Sequence, residues 1–368
     1  MEYFICILLL AIGIVLVVKG GDWFVDAASW IAEASGIPTF IIGATIVSLA
    51  TTLPEVLVSC ISAAEGSAGM AIGNAVGSVN CNIALIMGIS LIFIPASFKR
   101  KDYVAKIAML LVAIAMLWGF SASDNELNIW QSVLIMLIFV VFMVENVVSA
   151  KLQSKKASLE ANIDSPSSVQ TQDCEEKKHG ILDTYLSAKD AKMVHFKKSG
   201  MVASRGTVVK NILLFVIGAG AIVGGAQLMC TYGEKLAHLF GISDAIIGVT
   251  ILAVGTSLPE LVTTITAISK KKADLSVGNI IGANIIDIAL ILPLCSFITN
   301  GKYGISLPTN AQALTLDMPF CLAVAGFALI PALVMGKFKR WQGAVMLAGY
   351  VTYITLLVLN TLQVITIF

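Results

Sequence analysis

Ten apolar runs divide this chain. Stretches long enough to cross a bilayer as helices, about 17–25 residues, lie near 3–32, 38–63, 71–94, 103–120, 128–149, 208–238, 244–268, 277–298, 314–335 and 342–366. The chain therefore reads as an all-α, multi-pass membrane protein whose first partner is the lipid bilayer. Composition agrees: 57% of the 368 residues are hydrophobic and 13% are charged, against about 25% charged in an ordinary soluble domain. The net charge of +1 carries little information, and no nucleic-acid partner is expected. Met1-Glu2-Tyr3 lacks the basic stretch that opens a cleaved signal peptide, so the first run reads as a retained helix.

The placement of charge orients the runs. Lys99, Arg100, Lys101 and Lys106 follow the third run, and Lys270, Lys271 and Lys272 follow the seventh. Lys337, Lys339 and Arg340 follow the ninth, and a long polar stretch rich in Lys, Glu, Ser and Gln follows the fifth. Connections after even-numbered runs are short and, Lys302 aside, free of positive charge. With ten alternating helices every basic cluster falls on one side, which is then cytoplasmic, with both termini outside. The expected division is a first five-helix half over 1–150, a flexible cytoplasmic loop over 151–206, and a second five-helix half over 207–368. The loop's polar composition suits a linker better than a folded sensor domain.

The two halves repeat. Shifted by 205 places, residues 36–87 match 241–292 without a gap. Thr51, Leu53, Pro54 and Glu55 meet Thr256, Leu258, Pro259 and Glu260; Gly73, Asn74 and Gly77 meet Gly278, Asn279 and Gly282. Shared Leu and Ile between membrane helices are expected, whereas Gly, Pro, Asn and Glu in register mark a duplication. An odd number of helices precedes the second copy, so the copies are inverted, and a binding site is expected between them near the midplane. In each copy a proline interrupts an apolar helix and a glutamate follows it directly. A charge at that depth costs at least ~2.5–3.5 kcal/mol, and such residues line ion or proton pathways.

The chemistry of the repeats is that of oxygen. Thr45, Ser48, Thr52, Glu55, Ser59 and Ser62 recur three or four apart, one polar stripe on an apolar helix. The second copy keeps Thr250, Ser257, Glu260 and Thr264, with Ala253 interrupting, and Asn74, Ser78 and Asn82 share a face, as do Asn279, Ala283 and Asp287. Such faces around Glu55, Glu260, Asn82 and Asp287 make an oxygen-rich cage. Oxygen ligands without thiolate or imidazole suit a hard cation, Ca²⁺ or Na⁺ rather than Mg²⁺. Ser59, Ser62, Asn74 and Asn279 read equally well as ligands and as polar glue between helices; Gly73, Gly77, Gly278 and Gly282 read as packing positions. Lys19, Asp22 and Asp26, three and four apart, read as a local ion pair. The seven cysteines form neither a CxxC pair nor a paired framework, and a histidine metal site is not expected. No catalytic pair is spaced for an enzyme, and broken helices in both halves favour alternating access over a channel. Ions would be cargo, and no cofactor is expected.

These repeats resemble the alpha-repeats of the cation/calcium exchanger superfamily, above all the prokaryotic-type sodium/calcium exchangers. The resemblance implies two inverted five-helix halves, a core of helices 2, 3, 7 and 8, and long tilted helices 1 and 6 that slide past it. It implies a secondary antiporter in the cell (inner) membrane exchanging Ca²⁺ for Na⁺, with Ca²⁺/H⁺ or potassium-dependent exchange as the alternatives. By the same resemblance Glu55, Glu260, Thr51 and Thr256 bind Ca²⁺, and Asn82 and Asp287 close the central site. Flanking Na⁺ sites would use the carbonyls of Ser48 and Ala253 together with Ser78 and Ser257. Thr52 stands where the family carries Ser, and Ala50, Ser48, Val79 and Ala283 also depart from its pattern. Ala283 removes a hydroxyl from one expected Na⁺ site.

Overall fold

The computed structural model describes residues 2–93, 100–163, 193–195, 201–239, 255–361 and 364. In chain order its helices are α1 (Glu2–Ser35), α2 (Thr39–Thr51), α3 (Leu53–Ala64), α4 (Ala68–Phe93), α5 (Arg100–Asp124), α6 (Ile129–Ile163), α7 (Arg205–Leu239), α8 (Leu258–Ser269), α9 (Ala273–Tyr303), α10 (Ala313–Met335) and α11 (Arg340–Thr361). Two short antiparallel ribbons accompany them: β1 (Glu126–Leu127) with β4 (Leu307–Pro308), and β2 (Met193–His195) with β3 (Val202–Ser204). Among the described residues eight helices are long and apolar enough to cross a membrane, and α2 with α3 makes a ninth span bent by 47°. The shorter apolar α8 occupies the second half of the expected seventh run, whose first half lies outside the described residues.

The bend sits where Pro54 predicts it. Pro54 is in the first turn of α3, where its missing N–H is harmless, and Thr52 at the joint has φ −84° and ψ −1°. Ser257, its counterpart before Pro259, has φ −86° and ψ 6°. The inverted copies thus carry the same sparsely populated backbone geometry. A second irregularity is also duplicated. α4 opens into a wide turn with i→i+5 hydrogen bonds over Cys81–Met87, and α9 does so over Asp287–Ile291. α2 and α10 have such turns at Gly43–Val47 and Ala313–Asp317.

α4 and α9 are the most buried spans, and the largest apolar cluster surrounds them. α9 reaches α2 backbone to backbone: a Cβ on Gly278 would lie 2.3 Å from the Phe40 carbonyl oxygen, and one on Gly282 2.6 Å from that of Ala44. These two glycines pack as the sequence suggests, while Gly73 and Gly77 have no neighbour within 4 Å among the described residues.

α1 and α7 form a separate pair along the flank, packed along their length. A Cβ on Gly13 would stand 2.9 Å from the Gly225 oxygen, and one on Gly20 2.9 Å from the Gly218 oxygen. Conversely, Gly225 approaches Gly13 at 2.8 Å and Gly218 approaches Gly20 at 2.9 Å. Adding 205 to 13 and 20 gives 218 and 225, so the seam is antiparallel and maps onto itself when the halves are exchanged.

One expectation changes. The Lys19–Asp22–Asp26 pairing does not form as a local unit: Lys270, just after α8, meets Asp26 Oδ1 at 2.9 Å and Asp22 Oδ1 at 3.2 Å. The acidic pair faces the end of α8, and Lys272 similarly reaches Glu33 at 3.3 Å. Within 151–206, α6 continues to Ile163 and β2 pairs with β3. A helix continues past the apolar run because residues such as Lys, Gln, Ala, Leu and Glu sustain it in water.

Candidate functional site

Pro54 and Pro259 each open a helix, α3 and α8, and the glutamates that follow them in those first turns lie in the interior. Glu55 and Glu260 are each 1% exposed and Asp287 is fully buried. Thr51, Thr52, Ser48, Ser78, Asn82 and Ser257 are buried with them, and Thr256 is half-buried. Ala253, expected to offer its carbonyl, lies outside the described residues, as does Thr250.

Hydrogen bonds tie the two copies together around these groups. Thr52 Oγ1 donates to Glu260 Oε1 at 3.2 Å, joining one motif to the other. Thr51 Oγ1 donates to Asn279 Oδ1 at 3.3 Å, and its counterpart Thr256 donates to Asn74 Oδ1 at the same distance. Each asparagine then donates into its own half. Asn74 Nδ2 reaches the Glu55 carbonyl at 3.3 Å and Ser59 Oγ at 2.9 Å, and Asn279 Nδ2 reaches Thr263 Oγ1 at 3.0 Å. Asn74 and Asn279 are therefore buckles between the halves, and Ser59 serves that buckle.

The wide turns deliver the remaining groups. Asn82 is the second residue of the turn in α4, Asp287 the first in α9. Turns of this kind re-aim side chains and are frequent at functional sites. Asn82 Nδ2 donates to Asn284 Oδ1 at 3.0 Å. Asn284 was not among the residues expected here; its position two after Gly282, in register with Val79, was the available signal.

Many of these oxygens have no donor. Both carboxylate oxygens of Glu55 and of Asp287, Glu260 Oε2, Asn82 Oδ1, and the hydroxyls of Ser78 and Ser257 are buried without a hydrogen-bond partner among the described residues. Glu55 is within electrostatic reach of both Glu260 and Asp287. Buried carboxylates close together and without donors are stable only when a proton or a cation compensates them, so this cluster is a candidate cation site. Among the described residues no three acidic, histidine or cysteine side chains form a metal cluster by themselves. A cation held here would draw on hydroxyl, amide and main-chain oxygens as well as carboxylates, a donor set that suits a large hard ion with many ligands.

Comparison with known proteins converges on one group. The family described as sodium/calcium exchanger protein matches residues 5–148 and 210–359. The chain is 30% identical to the sodium/calcium exchanger MaX1 of Methanosarcina acetivorans, over 95% of its length and 97% of that protein. It is 29% identical to the inner membrane protein YrbG of Escherichia coli, over 95% of each. A structure of the sodium-calcium exchanger NCX_Mj soaked with Na⁺ and Sr²⁺ superposes with a TM-score of 0.73, at 26% identity, covering 96% of this chain and 98% of that one.

Proposed function

The chain belongs to the sodium/calcium exchanger family, and from that premise we propose that it is a secondary antiporter whose ion site is the cage between its two proline breaks. It exchanges Na⁺ for Ca²⁺ across a membrane by alternating access. The observation that carries the assignment of the site is the set of buried, donor-free carboxylate oxygens on Glu55, Glu260 and Asp287. Glu55 and Glu260 neutralise the divalent ion. Thr51 and Thr256 join them as ligands, Thr52 orients Glu260, and Asn82 and Asp287 close the cage from the wide turns. Ser48, Ser78, Ala253 and Ser257 serve the flanking Na⁺ positions through hydroxyls and carbonyls. The ions are cargo; the protein performs no covalent chemistry and needs no resident cofactor. The basic loops face the cytoplasm and both termini lie on the other side of the cell (inner) membrane, supported by the distribution of Lys and Arg.

Purified protein in liposomes tests this. Ca²⁺ uptake driven by an outward Na⁺ gradient is the expected result. Uptake driven by a pH gradient and indifferent to Na⁺ assigns the carboxylates to proton exchange instead.

A further inference from the structure

α10 carries a buried carboxylate that the cage does not use. Asp317 is 3% exposed, and a charge inside a membrane span costs at least ~2.5–3.5 kcal/mol unless the structure has a use for it. Its carboxylate is held at both oxygens: Oδ1 accepts from the Tyr353 hydroxyl at 3.0 Å, and Oδ2 from Gln312 Nε2 at 3.2 Å. Its main-chain oxygen accepts from Asn80 Nδ2 at 3.1 Å. The phenol that completes the arrangement is fixed in turn, because Tyr353 stacks on Phe320 with ring centroids 4.6 Å apart.

Asn80 occupies a special place. It immediately precedes the wide turn of α4 that carries Asn82, and Asp317 closes the wide turn of α10. The two irregular turns therefore meet through one side-chain bond. A wide turn departs from the regular i→i+4 ladder, and side-chain donors satisfy the groups that departure leaves over. The far end of the α4 turn is also held: a Cβ on Gly343 of α11 would lie 2.5 Å from the Gly88 carbonyl oxygen. The matching position to Asn80 in the second half is Ile285, which has no polar side chain to make the same tie. The support is one-sided.

We propose that the Asp317 carboxylate and Tyr353 are positioning groups for the ion cage: their bond fixes the Asp317 main chain, whose oxygen takes the Asn80 amide, and with it the wide turn that aims Asn82. This rests on the cage being the exchange site. The test is Na⁺-driven Ca²⁺ uptake across a range of Ca²⁺ concentrations in liposomes, with thermal unfolding of the same purified proteins without Ca²⁺. Tyr353→Phe and Asp317→Leu are expected to raise the Ca²⁺ concentration for half-maximal flux about tenfold, with maximal rate and unfolding midpoint near wild type, as for other supports of ion ligands. Asp317→Asn keeps an acceptor for Tyr353 and is expected to stay within about twofold of wild type. Tyr353→Phe removes a single hydroxyl and carries the test where Asp317→Leu fails to fold. A lower midpoint or maximal rate at unchanged half-saturation marks a structural role only and overturns the proposal. An Asp317→Asn variant as impaired as Asp317→Leu gives the charge its own role and overturns it equally. Active wild type with unaltered variants overturns this proposal alone; wild type without Ca²⁺ flux under any gradient removes the exchange reading beneath it.

Discussion

Glu55 and Glu260 are two acidic residues in spans that otherwise avoid charge, and each follows a proline. Both are buried without basic partners among the described residues, and on the proposed function a divalent ion is their counter-charge. Glu55→Gln or Glu260→Gln leaves one carboxylate facing that ion. Loss of one partner from a buried charge pair costs about 3 kcal/mol or more, so each variant is expected to lose over about 99% of Ca²⁺ flux while eluting as a folded protein. Near-normal flux in either variant would remove the assignment. That these two residues lie in the interior with Thr51, Thr256, Asn82 and Asp287 was readable because each repeats or stands opposite a repeated partner. Asn74 and Asn279 were ambiguous, since an amide that coordinates and one that buckles helices have the same periodicity. Lys270 with Asp22 and Asp26, and Asp317 with Tyr353 and Asn80, were not readable at all: their partners lie on different helices, and spacing along one helix says nothing of them.

Among elements, the bend between α2 and α3 announced itself through Pro54, since proline has a fixed geometric consequence. The wide turns did not, because no residue type is specific to them; they became visible only as main-chain geometry. Helix ends past the apolar runs were likewise hidden, α6 above all, because hydropathy marks the membrane boundary and not the end of the helix. The flank formed by α1 and α7 depends on main chains in contact. Gly20→Val places a branched side chain against the Gly218 carbonyl and the Ala221 methyl, an overpacking that costs about 1–3 kcal/mol or separates the helices. Gly220, also on α7, has nothing within 4 Å among the described residues, and Gly220→Ala is expected to unfold at the wild-type temperature or slightly above it. Equal midpoints for the two variants would mean that the glycine contact does not hold the pair.

At the scale of the whole molecule, the duplication predicts both a thermodynamic and an electrical property. Residues 164–192 join halves that hold each other through the buckles and the glycine seam, so chains spanning 1–163 and 193–368, expressed together, are expected to purify as one complex with Na⁺-driven Ca²⁺ flux. Folded complex without flux would give the central stretch a part in transport. The family resemblance implies three Na⁺ against one Ca²⁺, which moves one net positive charge per cycle, worth about 2.3 kcal/mol per 100 mV. An inside-negative potential, set with potassium and valinomycin, is then expected to speed Na⁺ influx and Ca²⁺ efflux. A flux indifferent to voltage would mean two Na⁺, in keeping with the hydroxyl that Ala283 lacks. The seam between α1 and α7 has one more consequence. Gly13 with Gly225 and Gly20 with Gly218 are the same contact made twice, which is the rule for an isologous interface between identical subunits. Each half therefore carries both sides of that interface, and the halves recognise one another as two oppositely oriented copies of one subunit would, with the linking chain adding only a tether.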